Sequence, residues 1–346
     1  MAYEIGTATD YRELLLRLKD FISNPARAIA SGDTSISELS PQASGEGWTI
    51  ERWDTNFDAD GGYEMIANGP GASGVDEIFT GIQTYYHAGD DYYNWKLNGM
   101  TGFVSGQTMQ LQPGSVQGCW PKLLMWDDPI DYWFLANGRR YVVIAKVSTS
   151  YEMLYQGFAL PYGLPTQFPY PLVVGGSFSD GAGAPRYSSV EAEHRGFPNP
   201  DGDGAEVCTG AVDADASDRS SLKILQGTSW IKTANRTSLT VYGSTNTVWP
   251  YCSSTYSTSG GDDMPYNIFS TALRENLDGS YPIFPLIVMM QNPNNNIFGE
   301  LQGCFAVPGF GGIAAEDTFT INGDTYIAFP IAPNADRADF MCIKKE

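Results

Sequence analysis

The chain is poor in the residues that most reaction mechanisms need. It has two histidines, His87 and His194. His87 lies among Tyr85, Tyr86, Asp90 and Asp91, and His194 beside Glu191, Glu193 and Arg195, so each reads as an ordinary strand or surface histidine. HExxH, GxSxG, the Walker loop and a GxGxxG set after a strand are all missing. Ser179 and Ser259 sit near glycine but in no nucleophile-elbow frame. These gaps argue against the histidine-, serine- and nucleotide-dependent classes. A carboxylate pair for glycoside hydrolysis stays open, since its spacing is spatial rather than sequential, and no catalytic residue, cofactor or metal ligand is expected.

Bases are scarce as well. Twenty Lys and Arg stand against 40 Asp and Glu, a formal net charge of −20. Phosphate contacts need clustered cations, and Arg139-Arg140 and Lys344-Lys345 are isolated pairs. Nucleic acid and an anionic membrane surface are therefore not expected partners. No apolar run approaches the roughly 18 residues of a membrane-spanning helix; the longest, near Ile283–Met290, is broken by Pro285. The first residues lack a basic stretch followed by an apolar one, so synthesis in a cytoplasm is expected.

Cysteine is sparse and scattered. Cys119, Cys208, Cys252, Cys304 and Cys342 show no CxxC or paired zinc spacing. Two readings stay open: reduced, partly buried thiols, or disulfides formed after release from a reducing cell. In the second, the odd count leaves one thiol free or pairing between subunits.

What is abundant points to strands. Gly at 38, Pro at 21 and Tyr at 20 accompany many Thr and Val, a composition that favours a loop-rich β protein. The expected fold is mainly β, with β-sandwich or barrel-like units, hairpins and one N-terminal α-helix as a minor α component. A length of 346 residues suggests two or three units. The divisions expected are a helix and extended arm over 1–47, a β-rich domain over 48–177, and a second over 178–346 with long loops at 178–220.

The helix follows Thr9 or Asp10 as cap, with Glu13 placed for a reciprocal cap. Tyr11, Leu14, Leu15, Leu18, Phe21 and Ile22 form its apolar stripe, and Asn24-Pro25 ends it. That stripe either docks on the chain's own core or packs on a neighbouring subunit, which makes Tyr11, Leu14, Leu15, Leu18 and Phe21 candidate inter-subunit contacts. Two hairpins carry Asn-Gly turns of type I′: Asn137-Gly138 between Tyr132–Ala136 and Arg139–Val147, and Asn322-Gly323 between Asp317–Ile321 and Asp324–Phe329. Further strands are expected at Trp48–Trp53, Tyr63–Ala67, Ile78–His87, Tyr92–Leu97, Leu172–Val174, Leu222–Leu225, Ser238–Tyr242 and Tyr281–Met290. The acidic turns Asp58–Gly62 and Asp201–Gly204 invite a calcium reading, but neither completes an EF-hand loop and both suit ordinary turns. Aromatics such as Tyr92, Tyr93 and Trp95 would suit a sugar groove, and equally a core or interface.

Several stretches resemble an uncharacterised family of virion proteins of tailed bacteriophages. They are DEIFTGIQTYYHAGDDYYNWKLNGMTGF at 76–103, DYWFLANGRRYVVIAKVSTSYEMLYQGFALPYGLPTQFPYPLVVGGS at 131–177, and GELQGCFAVPGFGGIAAEDTFTINGDTYIAFP followed by RADFMCIK near the C-terminus. The N-terminal ATDYRELLLRLKDFI is similar to the opening of phage structural proteins. The resemblance implies a structural component of the virion, a ring-forming homo-oligomer at the neck or collar around the head–tail junction, in contact with other neck or tail proteins. It carries over no catalytic residue. The alternative is a tail-tip, baseplate or carbohydrate-binding tail protein.

Overall fold

The computed structural model describes residues 2–23, 33–40, 47–71, 74, 77–87, 92–116, 120–162, 171–176, 222–226, 229–232, 283–290, 296–308, 313–330 and 339–345. Within them the protein is mainly β, with one helix near the N-terminus and three antiparallel sheets. The central sheet holds β1 (Ala2–Ala8), β2 (Ile36–Leu39), β8 (Ile130–Asn137), β9 (Arg140–Val147), β10 (Ser150–Phe158), β12 (Leu172–Gly175), β13 (Leu222–Gln226) and β14 (Ser229–Lys232). Their order is 14-13-12-10-9-8-1-2. A five-stranded sheet runs in chain order through β3 (Thr49–Asp54), β4 (Glu64–Gly69), β5 (Ile78–His87), β6 (Tyr92–Met100) and β7 (Lys122–Met125). A six-stranded sheet joins β11 (Leu160–Pro161), β15 (Phe284–Met290), β16 (Asn296–Pro308), β17 (Thr318–Ile321), β18 (Asp324–Pro330) and β19 (Asp339–Lys344).

The central sheet is the middle of three layers. Successive strand residues point to opposite faces, and both faces of β8 and β9 are apolar. Tyr132, Phe134, Tyr141, Val143 and Ala145 enter one core, which the five-stranded sheet completes with Met65, Ile82, Trp95 and Leu97. Trp133, Leu135, Val142 and Ile144 enter the other, completed by Leu286, Phe298, Leu301, Phe329 and Met341 of the six-stranded sheet. This is why YVVIAKV reads as an almost unbroken apolar run rather than an alternating one. Each such side chain contributes roughly 1.5–3 kcal/mol on leaving water.

Helix α1 (Tyr11–Ser23) lies in the first core. Asp10 is its N-cap: its Oδ1 accepts the backbone N–H of Arg12 at 2.7 Å and of Glu13 at 2.8 Å. Glu13 reaches back to the N–H of Thr9 at 2.6 Å. Burial opposes ionisation of Glu13, yet the Thr9 and Arg17 hydrogen bonds outweigh it and hold its carboxyl below the ordinary value. The Asn24-Pro25 stop lies outside the described residues.

Two expectations are corrected here. Tyr11, Leu14, Leu15, Leu18 and Phe21 are each at most 2% exposed, covered by the chain's own sheets. The apolar face of the helix is therefore taken, and it is not an inter-subunit contact. The segment 1–47 is also not an arm apart from the β units. β1 pairs along its whole length with Ile130–Ala136 of β8, and β2 pairs with β1. Nor does a boundary at 177 separate the sheets, since β12 pairs with β13 across it and β11 pairs with β16.

The two Asn-Gly hairpins form as expected, with different turns. Asn322 (φ 53) and Gly323 (φ 92) adopt the type I′ conformation. At the first hairpin Asn137 pairs with Arg140, so the loop is Gly138-Arg139, and neither Asn137 nor Gly138 has positive φ. The Asn137 carboxamide oxygen instead accepts the N–H of Arg139 at 2.8 Å and of Arg140 at 3.1 Å. The type I′ assignment there is corrected to an Asn-capped turn, because the side chain takes over the backbone's donors.

Candidate interaction surfaces

The outer face of the five-stranded sheet carries a row of charged and amide side chains. The register sets Glu64, Gln83, Lys96 and Lys122 side by side on β4 to β7. Glu64 is fully buried, and its Oε1 meets Arg52 Nε at 2.5 Å. Its Oε2 accepts from the Gln83 amide and from the backbone N–H of Met109, the latter at 3.2 Å. Gln110 and Gln83 exchange hydrogen bonds through their amides. Lys96 lies 4.2 Å from the Tyr85 ring centre and 5.3 Å from that of Trp120. Burial lowers its ammonium below the ordinary lysine value, against the pull of Asp58.

This row latches the connection between β6 and β7 onto the sheet. Asn98 accepts the N–H of Val116 at 2.8 Å, and Ser115 donates to the Met109 carbonyl at 2.6 Å. Gln112 accepts the N–H of Val104 at 2.7 Å and donates to the Gln107 carbonyl at 2.8 Å. Trp230 of β14 donates to the Gly114 carbonyl at 2.7 Å, tying the loop to the central sheet. Met109 packs where Gly81 leaves room; a Cβ there would lie 2.6 Å from its sulfur. The loop held in this way presents Leu111, 69% exposed, and Val104 to solvent.

The outer face of the six-stranded sheet is different. Val307, Tyr326 and Cys342 form a small apolar cluster with half-buried Phe305, Ile313, Phe319, Ile321 and Phe340. Phe319 stacks on Tyr326 at 5.6 Å between ring centres, and Phe305 meets Tyr326 edge-on at 5.4 Å. At the rim, Glu316 accepts from Lys146 at 2.6 Å and from Tyr151 at 2.5 Å, both of the central sheet.

The other sequence-derived candidates fall as follows. Cys304 and Cys342 are free, buried thiols. Cys304 opposes Ile343 and Cys342 opposes Phe305, so the two side chains enter opposite faces of the sheet. This corrects the disulfide reading for that pair. Burial pushes the Cys304 thiol up to about 12 and raises that of Cys342 as well. Cys119, Cys208 and Cys252 lie outside the described residues, as do His194, Asp201–Gly204, Ser238–Tyr242 and all of 178–220. Asp58 is engaged by its own turn, its Oδ1 accepting the N–H of Asp60 at 3.1 Å and of Gly62 at 2.7 Å. Among the described residues no group of three or more His, Cys, Asp and Glu is placed to hold a metal. Trp48, Trp95, Trp133 and Trp230 are core side chains rather than the lining of a groove.

Sequence reasoning missed the polar row. Glu64, Gln83 and Lys96 stand far apart in the chain, and only the strand register aligns them. The signal available was alternation: Gln83, Tyr85 and Lys96 take the face opposite Ile82, Thr84 and Trp95. No protein-family model matches the chain, and no curated protein matches it.

Proposed function

We propose that the chain is a structural subunit of a tailed-phage virion, a ring-forming component at the neck or collar that contacts other neck or tail proteins. The stretches at 76–103, 131–177 and the C-terminus that resemble phage virion proteins fall on β5, β6, β8, β9, β10 and the strands from β16 onward. They are thus the frame of all three layers. The observation that carries the reading is the latched loop 101–116. An ion pair with a buried carboxylate and a set of amides fix its conformation, while Leu111 and Val104 stay outside. A loop ordered before contact loses less entropy on docking, so rigid presentation of apolar side chains suits protein recognition. The acidic balance suits a part that does not line the path of DNA.

Immunolabelling of particles from the virus that encodes the chain tests this. Antibodies to the recombinant protein are expected to decorate the head–tail junction. Label at the far end of the tail would move the protein to the tail tip or baseplate. Intact, purified particles that lack the chain by mass spectrometry would overturn the proposal.

A further inference from the structure

Among the described residues the edges of the three sheets are guarded, with one exception. A free edge offers unpaired N–H and C=O groups, and proteins block it with charge, proline, bulges or extreme shortness. Among the described residues β2 carries Glu38, β14 Lys232 and β7 Lys122. β3 carries Glu51, Arg52 and Asp54, and its pairing is bulged. β11 has two residues and Pro161; β15 has Pro285 and shifts register twice. β17 reads Thr-Phe-Thr-Ile, with no charge, no proline and an unbroken register to β18.

We propose that β17 is a self-pairing edge, on which a second copy of this chain adds its own β17 antiparallel about a two-fold axis through Phe319. In a two-residue hairpin the closing pair, Ile321 and Asp324, exchanges both backbone hydrogen bonds. The odd-numbered residues therefore turn their groups to β18, and the Ala328 N–H donating to the Asp317 carbonyl at 2.9 Å continues that phase. Thr318 and Thr320 turn theirs outward. Antiparallel self-pairing that keeps each face in register then sets Thr318 opposite the partner's Thr320, both hydrogen-bonded, with Phe319 facing its own image. The aromatic row Phe305–Tyr326–Phe319 then runs on into the partner's Phe319. The same register sets Glu316 opposite Asn322 and Asp317 opposite Ile321, so no two acids meet in spite of the chain's −20 charge. The irregularity at Glu316 (φ 70) ends before Thr318. The contact is isologous and cannot close a ring by itself. It is an interface additional to any ring contact and does not depend on the virion reading.

Sedimentation of the full chain over a concentration series, with engineered cysteines, tests it. The wild type is expected to pass from monomer to dimer. Thr320→Pro removes an outward donor and is expected to weaken dimerisation about tenfold or more. The double variant Thr318→Lys with Thr320→Lys, both exposed positions, sets like charges opposite each other twice and is expected to stay monomeric, with the thermal transition that the wild type shows at concentrations where it is itself monomeric. Phe319→Cys places two Cα atoms about 4.5 Å apart in a non-hydrogen-bonded pair, inside the roughly 4.4–6.8 Å span of a disulfide. Mild oxidation is expected to link it into dimers well beyond the wild-type background, while Ile321→Cys is not linked. A wild type that stays monomeric throughout overturns the inference. So does a dimer indifferent to both threonine variants, or a cross-link faster at 321 than at 319.

Discussion

The two outer sheets flank the same central sheet, and the chain finishes them differently. On the five-stranded side a loop is bolted down by a buried charge row, and the edge strands carry charge or a bulge. On the six-stranded side the outer face keeps half-buried aromatics, and among the described residues β17 ends the sheet with no charge, proline or bulge. Each side has a carboxylate that fastens something, and the surroundings of the two differ: Glu64 holds the 101–116 loop on the outer face of its own sheet, and Glu316 joins the rim of the six-stranded sheet to the central one. Glu64 is fully buried, with both oxygens engaged. Glu316 is 38% exposed, at a rim. A charge taken from water holds its neighbours in one arrangement, whereas a charge left in water mostly exchanges one set of partners for another.

Removing the two carboxylates in turn is the harshest test of that contrast. Glu64→Ala leaves the Arg52 guanidinium with Asp54 and the Gln107 carbonyl alone, and takes the acceptor from the Gln83 amide and the buried Met109 N–H. It is expected to cost about 2 kcal/mol in chemical denaturation, the cost of buried donors left without an acceptor, and limited proteolysis should begin within 101–116. Glu316→Ala is expected to cost at most about 1 kcal/mol. Equal losses would show that the buried row does not fasten the loop as argued.

The two Asn-Gly turns sharpen the comparison at smaller scale. Gly323→Ala forces a side chain onto φ 92 with nothing near it to clash, so backbone strain alone should cost about 1 kcal/mol. Gly138→Ala meets no such strain, because that residue is not in the left-handed region. Thermal melts of the two variants compare them directly, and a larger loss at 138 would contradict the assigned turns. The pair also marks what the sequence can tell. Asn-Gly between apolar runs predicts a hairpin at both places. Which residue supplies the donors' partner depends on how the flanking strands are held, and at 137 they lie in the middle of the molecule.

The same limit explains the rest. The helix, with its stripe and caps, and the long strands of β5, β8 and β9 were legible because periodicity is local. β1 was not: AYEIGTA is short, small and split by Gly6, and it becomes a strand because β8 and β2 close on it. The helical stripe announced burial without saying against what. The polar row was invisible, since a lone Glu or Lys in a strand reads as its solvent face until a loop covers it.

The weakest expected effect is the pH dependence of the Glu316 clasp. Burial opposes ionisation of Glu316, but the hydrogen bonds from Lys146 and Tyr151 outweigh it, leaving the carboxyl below its ordinary value. Lys146 is raised, first by its bond to Glu316. Burial pushes the Tyr151 hydroxyl up to about 12, with the Glu316 bond adding to it. A depressed carboxylate stabilises above the unfolded-state pKa and loses that contribution as pH falls through the folded one. A raised lysine or tyrosine stabilises below its unfolded-state value and loses that contribution as pH rises through the folded one. The clasp is thus at full strength between about pH 5 and 9, given ordinary values near 4.3 for Glu, 10 for Tyr and 10.4 for Lys, and it fades on both sides. Partial exposure of both ions keeps the effect small. The difference in melting temperature between wild type and Glu316→Gln is therefore expected to be measurable at pH 7 and to shrink toward pH 3. A gap that widens in acid would mean that Glu316 is held protonated, and that the six-stranded sheet is joined to the central one by a neutral contact rather than a charged one.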